Sequence, residues 1–460
     1  MEKNITDSLL KEYSKEFNAN LNNKIAKNAV NKNGVFNTAY NSDALRDLEP
    51  IYSVEVKDIP EVTNQKQSGR CWMFAGLNVL RPIVIKNLKV KSFEFSESYL
   101  MFYDKLEKSN SALIETLNNL DIKNDDRLLE YIIGMGGHQD GGYWNYFTSL
   151  VKKYGVCPKS SMKETISSSS SSEMNEVLLN LLTKDIALLR NEYKNGKTKE
   201  ELTSLKEGML KDIYNVLAIC LGEPTQEFIY EYEEVNNDKK DDKDIKEEKK
   251  DSFKRIKMSP VEFYNKYIGE ELNEYVSLVN WPISSYKFNE PYMLKLTQNV
   301  YDGDKCISLN VSLSDLKEAA INSLKDNTPM WFACDVTAFS FRKEGCLVKE
   351  LLNIDDTFNV NTSFDKGDRL MLKASQCNHA MTLVGVNLDD NNKPNRWKVM
   401  NSWGDDIGFK GFFIMSDEWF NEYTYEIVIK KKYIKPELLK CLDKELNLLE
   451  PWAPVARISD

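Results

Sequence analysis

The sequence predicts an α+β protein, with a helical part first, a helical block inserted mid-chain, and an antiparallel β part last. Three observations carry this prediction. A helix opens at Cys71 whose Trp72, Phe74, Ala75, Leu77, Val79 and Leu80 are apolar nearly all round, the mark of a buried helix. Between about 157 and 300, amphipathic patterns dominate, such as Met174, Val177, Leu178, Leu181 and Leu182, then Leu202, Leu205, Met209, Ile213, Val216 and Leu217. After Pro329 come short β-rich runs at 330–336, 380–386, 397–400, 411–415 and 425–429, each bounded by turn residues.

Composition narrows the class. The 460 residues are 42% apolar and 29% charged, which suits a globular chain of two or three domains. No apolar run approaches the ~20 residues of a membrane-spanning helix. The start, Met1-Glu-Lys-Asn-Ile-Thr-Asp, lacks the apolar core of an export signal, so a cytoplasmic protein is expected. A net charge of −10 counts against a nucleic-acid partner. Eight cysteines occur without a CxxC pair, as free thiols in a reducing compartment would. Only two histidines exist, His138 and His379, so any imidazole chemistry has two candidates.

Taken in order, residues 1–55 read as a helix with Leu9, Leu10, Tyr13, Phe17 and Leu21 on one face, then an extended arm over 31–50. Residues 56–156 form the helical part. Pro82 is expected to kink or stop the Cys71 helix. Ser96 is placed to cap a second helix, over about 96–108. Gly136-Gly-His-Gln-Asp-Gly141-Gly142-Tyr is a loop whose paired glycines let the backbone approach a ligand, so Gly141 and Gly142 are candidate substrate contacts. In the block 157–300, the serines 167–172 read as a surface loop and 236–251 as a solvated mixed-charge tract. Residues 301–435 are the β part, and 436–460 a short helix with an extended tail.

The chemistry centres on Cys71. Unpaired N–H groups at a helix start favour a thiolate over a thiol. A cysteine nucleophile also needs a base, an orienter for the base, and donors for the oxyanion. His379 heads an apolar strand and can supply the base. Asn401, in Asn-Ser-Trp403-Gly and 22 residues further on, can fix the imidazole tautomer without adding a full charge, while Trp403 shields that bond. Gln65, six residues before Cys71, offers a side-chain N–H beside the backbone N–H of Cys71. His138 has no comparable partners and reads as structural or cleft-lining. Two histidines without spaced cysteines make no metal site, and no cofactor is implied.

Gln65…Ser-Gly-Arg-Cys71-Trp72, Asp140-Gly-Gly-Tyr, His379-Ala and Asn401-Ser-Trp-Gly resemble the papain-type cysteine peptidases. Their histidine lies roughly 130–150 residues after the cysteine. Here the separation is 308, which leaves an insertion the size of the helical block. Ser68 stands where that motif has its first cysteine, so the disulfide of secreted relatives is missing. Ile219-Cys-Leu-Gly-Glu-Pro, Ser259-Pro-Val-Glu-Phe-Tyr, Trp331-Phe-Ala-Cys-Asp-Val, Asn378-His-Ala-Met-Thr and Asp417-Glu-Trp-Phe are similar to the branch containing bleomycin hydrolase and bacterial aminopeptidase C.

That resemblance implies a papain-like catalytic domain with an inserted helical hook and an N-terminal arm. It also implies homohexamers with the active sites facing an internal cavity, and short peptides as substrates. The C-terminal tail would lie in the cleft, where its terminal carboxylate receives the substrate's α-amino group, a role that falls here to Asp460. The tail Trp452-Ala-Pro-Val-Ala-Arg-Ile-Ser-Asp departs from the branch's Trp-Asp-Pro-Met-Gly-Ala-Leu-Ala. An aminopeptidase is therefore expected. An oligo-endopeptidase with a displaced or trimmed tail is the alternative, and a nucleic-acid-binding assembly stands third.

Overall fold

The computed structural model describes residues 4–46, 48–57, 59–235 and 252–456. A long twisted sheet forms its spine. From one edge to the other run the strands Asn447–Leu449, Glu290–Leu294, Cys306–Asn310, Tyr275–Val279, Thr424–Lys430, Met330–Cys334, His379–Leu388, Pro394–Met400, Phe412–Ser416, Cys346–Leu347 and Ser340–Phe341. Val54–Glu55 adds to His379–Leu388 near its far end. The pairing is antiparallel apart from three parallel contacts, 275–279 with 306–310, 290–294 with 447–449, and 346–347 with 414–415, so the sheet is mixed.

The sheet separates two cores, and the strand Met330–Cys334 divides its side chains between them. Trp331 and Ala333 join the helical core, whereas Met330, Phe332 and Cys334 face the other side, as a period of two requires. The helix Cys71–Leu88 lies on the central strands. Trp331 Nε1 donates to the Trp72 carbonyl at 3.1 Å, and Thr382 Oγ1 to that of Ala75 at 3.3 Å. Gly76 lets Phe147 of the helix Trp144–Tyr154 close against this helix.

Several expectations change. The segment 31–50 is not an extended arm: Asp7–Ala19, Leu21–Asn33 and Val35–Ala39 are α-helices and Ser42–Leu45 a short 3-10 turn. Pro82 neither stops the Cys71 helix nor marks its end; burial of thirteen of its residues outweighs the lost hydrogen bond and ring clash, together ~3 kcal/mol. Ser96 caps as expected, accepting from the Tyr99 amide, but the helix Glu97–Asn118 runs ten residues beyond Lys108. The serine run is not a surface loop, since it contains the helix Ile166–Ser169 and buries Ser168 and Ser171. The block 157–300 holds an antiparallel strand pair, Phe228–Glu234 with Ser252–Met258, besides its long helices Ser172–Lys194 and Lys199–Leu221. Strands 275–279 and 290–294, read from sequence as part of that block, belong to the main sheet. The tract 236–251 lies outside the described residues. No described helix is long and apolar enough to cross a membrane.

Candidate active site

Four sequence-distant segments meet at the start of the Cys71 helix. The turn before it zips onto the segment after Asn401: Gln65 N–H donates to the Ser402 carbonyl at 2.8 Å, and Gly404 N–H to that of Thr63 at 3.1 Å. Gly404 has φ +83, and Asn64 occupies the space a Cβ would need. The Ala380 amide points at Cys71 Sγ from 3.4 Å, which sets the thiol beside the first residues of the His379–Leu388 strand. Cys71, His379 and Asn401 are all nearly fully buried.

His379 Nε2 and Asn401 Oδ1 are 2.9 Å apart, and Asn401 Oδ1 also accepts from the Ser402 amide at 2.8 Å. With the ring proton on Nε2 donated to this carbonyl, Nδ1 is the nitrogen left to exchange a proton with a thiol. Burial is the largest influence on His379. It pulls the imidazole down to about 4, against the hydrogen bond to Asn401, and the Arg342 guanidinium adds to the fall. Trp403 lies against the imidazole at 4.8 Å between centroids, and Arg342 sits 4.4 Å over the indole.

Gln65 is buried and doubly tied. Its Nε2 donates to the Ser68 carbonyl at 2.6 Å, and its Oε1 accepts from Ser402 Oγ at 2.6 Å. Ser68 Oγ returns a bond to the Gln65 carbonyl at 2.7 Å. Gln65 is thereby locked to the turn that leads into Cys71, with its second N–H hydrogen as the one that could meet an oxyanion.

The glycine loop lies beneath this turn. Lys105 Nζ donates to the Gly137 carbonyl at 3.1 Å, and Lys108 Nζ to those of Gln139 at 3.0 Å and Gly141 at 2.7 Å. Trp72 Nε1 donates to the Asp140 carbonyl at 2.9 Å. On the side where a Cβ would sit, Gly142 is closed by the Trp72 indole. His138 sits in the same loop with a buried Nδ1 that has no partner among the described residues. Burial first, then Lys105 and Lys108, pull its imidazole down to about 4, with Asp140 opposing. Among the described residues no cluster of His, Cys, Asp or Glu could hold a metal ion.

Sequence reasoning overlooked Ser402, Arg342 and the two lysines. The signal for the lysines was present: Lys105 and Lys108 continue the three- and four-residue steps from Met101 to Ala112 along the helix's buried face, and a buried lysine needs a polar target. Asp460 lies outside the described residues, but the tail up to Ala456 can be followed. Arg127 lies 5.1 Å over the Trp452 ring, and Val455 packs on the buried cluster that includes Trp281, Tyr292 and Tyr425.

A cysteine at a buried helix start, set against a His–Asn pair at the head of a sheet strand, defines a papain-like cysteine peptidase. The comparisons with known proteins narrow this. The model of the Peptidase C1-like family matches residues 4–456, and the chain belongs to that family. It is 36% identical to Aminopeptidase C of Listeria innocua over the whole of both chains. It is 38% identical to Aminopeptidase G of Lactobacillus delbrueckii subsp. lactis, over 99% of this chain and 100% of that one. The crystal structure of PepW from Lactobacillus rhamnosis HN001 superposes over 100% of both chains with a TM-score of 0.92 at 36% identity.

Proposed function

We propose that this protein is a cytoplasmic cysteine aminopeptidase that removes N-terminal residues from short peptides. The observation that carries it is the His379–Asn401 pair held against the start of the Cys71 helix. His379 takes the thiol proton as Cys71 attacks the scissile carbonyl carbon, passes it to the leaving amine, then takes a proton from the water that cleaves the acyl-enzyme. Asn401 keeps the imidazole in the orientation that presents Nδ1, and Trp403 keeps water from that bond. The Cys71 backbone N–H and the Gln65 amide receive the oxyanion. Trp72 supports the loop whose Gly141 and Gly142 backbone would line the substrate.

The tail supports the exopeptidase mode. The Arg127–Trp452 contact and the packing of Val455 on the Trp281, Tyr292 and Tyr425 cluster hold the tail onto the body of the protein, and in this reading Asp460 offers carboxylates to an α-amino group in the cleft. The names of the relatives count against the oligo-endopeptidase alternative. Assembly as a homohexamer is part of the same reading, supported by the uncovered apolar side chains of the N-terminal helices. A nucleic-acid partner is disfavoured by the acidic net charge.

Two measurements test this. Cys71→Ala should abolish peptidase activity; full retention would end the assignment. A peptide and its N-acetylated twin separate the modes: an aminopeptidase cuts only the free-amine form, and equal cleavage of both would establish an endopeptidase.

A further inference from the structure

The insertion does more than add bulk, because it holds the turn that carries the nucleophile. Gln67 N–H donates to the Ser169 carbonyl at 2.9 Å, and Ser171 N–H to that of Gln67 at 3.4 Å. The Arg70 guanidinium binds Glu164 twice, at 3.1 and 2.9 Å, and Ser168 Oγ donates to the same carboxylate at 2.6 Å. All of these partners of the turn lie in the inserted block. The third tie is Asp140, from the glycine loop. Its Oδ2 accepts from the Gly69 amide at 3.0 Å and from Ser171 Oγ. Its Oδ1 accepts from Lys105 Nζ at 2.7 Å and from Asn175 Nδ2 at 2.9 Å.

This node is fully used. Lys105 spends its three donors on Asp140, the Gly137 carbonyl and Asn175 Oδ1, so no hydrogen of the buried ammonium is idle. Burial pushes the Asp140 carboxyl up, but Lys105, Ser171 and the Gly69 amide outweigh it and hold the group well below the usual carboxylate range. Gly137 makes the geometry possible: a Cβ there would overlap the Lys105 carbonyl and Ser109 Oγ, keeping the loop off the Glu97–Asn118 helix. The Gln65–Ser68 hydrogen bonds make the turn one unit, so whatever locates Gly69 also locates Gln65 and the Cys71 amide.

We propose that Asp140 is a positioning residue for peptide hydrolysis, which aligns the oxyanion donors by tying the Gly69 turn to Ser171 and Asn175 of the insertion. The inference rests on Cys71 being the nucleophile. Asp140→Asn is the sharp variant, because an amide has one acceptor oxygen and sets its NH2 against either Gly69 and Ser171 or Lys105 and Asn175, donors facing donors.

The test separates oxyanion alignment from thiol reactivity in the full chain. In Asp140→Asn, kcat should fall roughly 10-fold or more with KM little changed. Affinity for a peptide aldehyde, which forms a tetrahedral thiohemiacetal on Cys71, should fall in parallel. Alkylation of Cys71 by iodoacetamide, which needs no oxyanion donor, should keep its rate. Ser171→Ala, which removes one bond and leaves Lys105 paired, should move the same two quantities in the same direction by less, and serves if the first variant fails to fold. Normal kcat and aldehyde affinity in folded variants would overturn the proposal, as would alkylation falling in step with kcat. Cys71→Ala run alongside keeps the two ideas apart: an active Cys71→Ala ends the nucleophile reading, whereas an inactive one with normal Asp140 and Ser171 variants ends only this one.

Discussion

At the residue scale, the His379–Asn401 pair makes the most demanding claims. Asn401 Oδ1 satisfies Nε2 while its buried Nδ2 has no partner among the described residues, so the amide is held by its carbonyl. Asn401→Ala should leave the thiol in place and let the imidazole turn, lowering kcat by about 10²-fold, with KM for a short peptide little changed. An unaltered kcat in folded protein would remove Asn401 from the mechanism. Burial gives His379 a second measurable consequence. Its folded value of about 4 lies below the ordinary imidazole value of ~6.5. Between those values the unfolded chain binds a proton that the folded one refuses. Neutral His379 therefore favours folding above ~6.5, and that contribution is lost as pH falls toward 4, worth up to about 3 kcal/mol. His138 has the same sign. Glu97 and Glu426, pushed up to about 7 by burial, oppose it, since they hold protons when folded and lose stability as pH rises from ~4.5 to 7. The readout is thus a difference. Urea unfolding of wild type and His379→Gln across pH 4 to 7 should give a smaller acid loss in the variant, and parallel curves would refute the assigned shift.

At the scale of elements, glycine positions separate packing from propensity. Gly142 has the Trp72 indole where a Cβ would go, whereas Gly208, inside the helix Lys199–Leu221, has nothing within 4 Å. Gly142→Ala should cost about 1–3 kcal/mol of stability by overpacking. Gly208→Ala should gain about 0.5–1 kcal/mol from helix propensity alone. Matching midpoints for the two variants in urea would contradict the packing at Trp72. The same contrast explains what could be read from the sequence. The strands at 330–334, 379–388 and 424–430 were legible because their apolar runs are buried on both faces, and Cys71, His379 and Asn401 because each stands at an element boundary within a short motif. Ser171 and Asp140 were not legible as partners. The serine run reads as a surface loop and the glycine-dense loop as a backbone approach to a ligand, and only the tertiary approach of residues 164–175 gives their polar atoms something to bind. Pro82 failed as a stop signal for a related reason: packing on the sheet sets the extent of a buried helix more strongly than local propensity does.

At the scale of the whole molecule, the N-terminal helices are the part that a single chain does not explain. Neither Asp7–Ala19 nor Leu21–Asn33 buries a single residue, and Leu10, Tyr13, Phe17, Leu21 and Ile25 all stand exposed. Among the described residues, the arm's hydrogen bonds to the rest of the chain begin further on, where Asn41 N–H donates to the Leu351 carbonyl at 2.9 Å and Asn353 N–H to that of Ala39 at 2.8 Å. Large apolar side chains gain about 1.5–3 kcal/mol each on full burial, so five on one pair of helices can drive association between copies. In the proposed hexamer these helices bind a neighbouring subunit, and enclosure of the active sites excludes long polypeptides. Replacing Leu10 and Phe17 by Asp should therefore do two things at once. Sedimentation should shift from the hexamer to smaller species, and cleavage of an unfolded polypeptide should rise while kcat on a short peptide stays within about 2-fold, because no catalytic group lies on the arm. Unchanged mass would detach the arm from assembly. Dissociation with no gain on long chains would leave assembly intact as an idea and refute enclosure as the filter on substrate length.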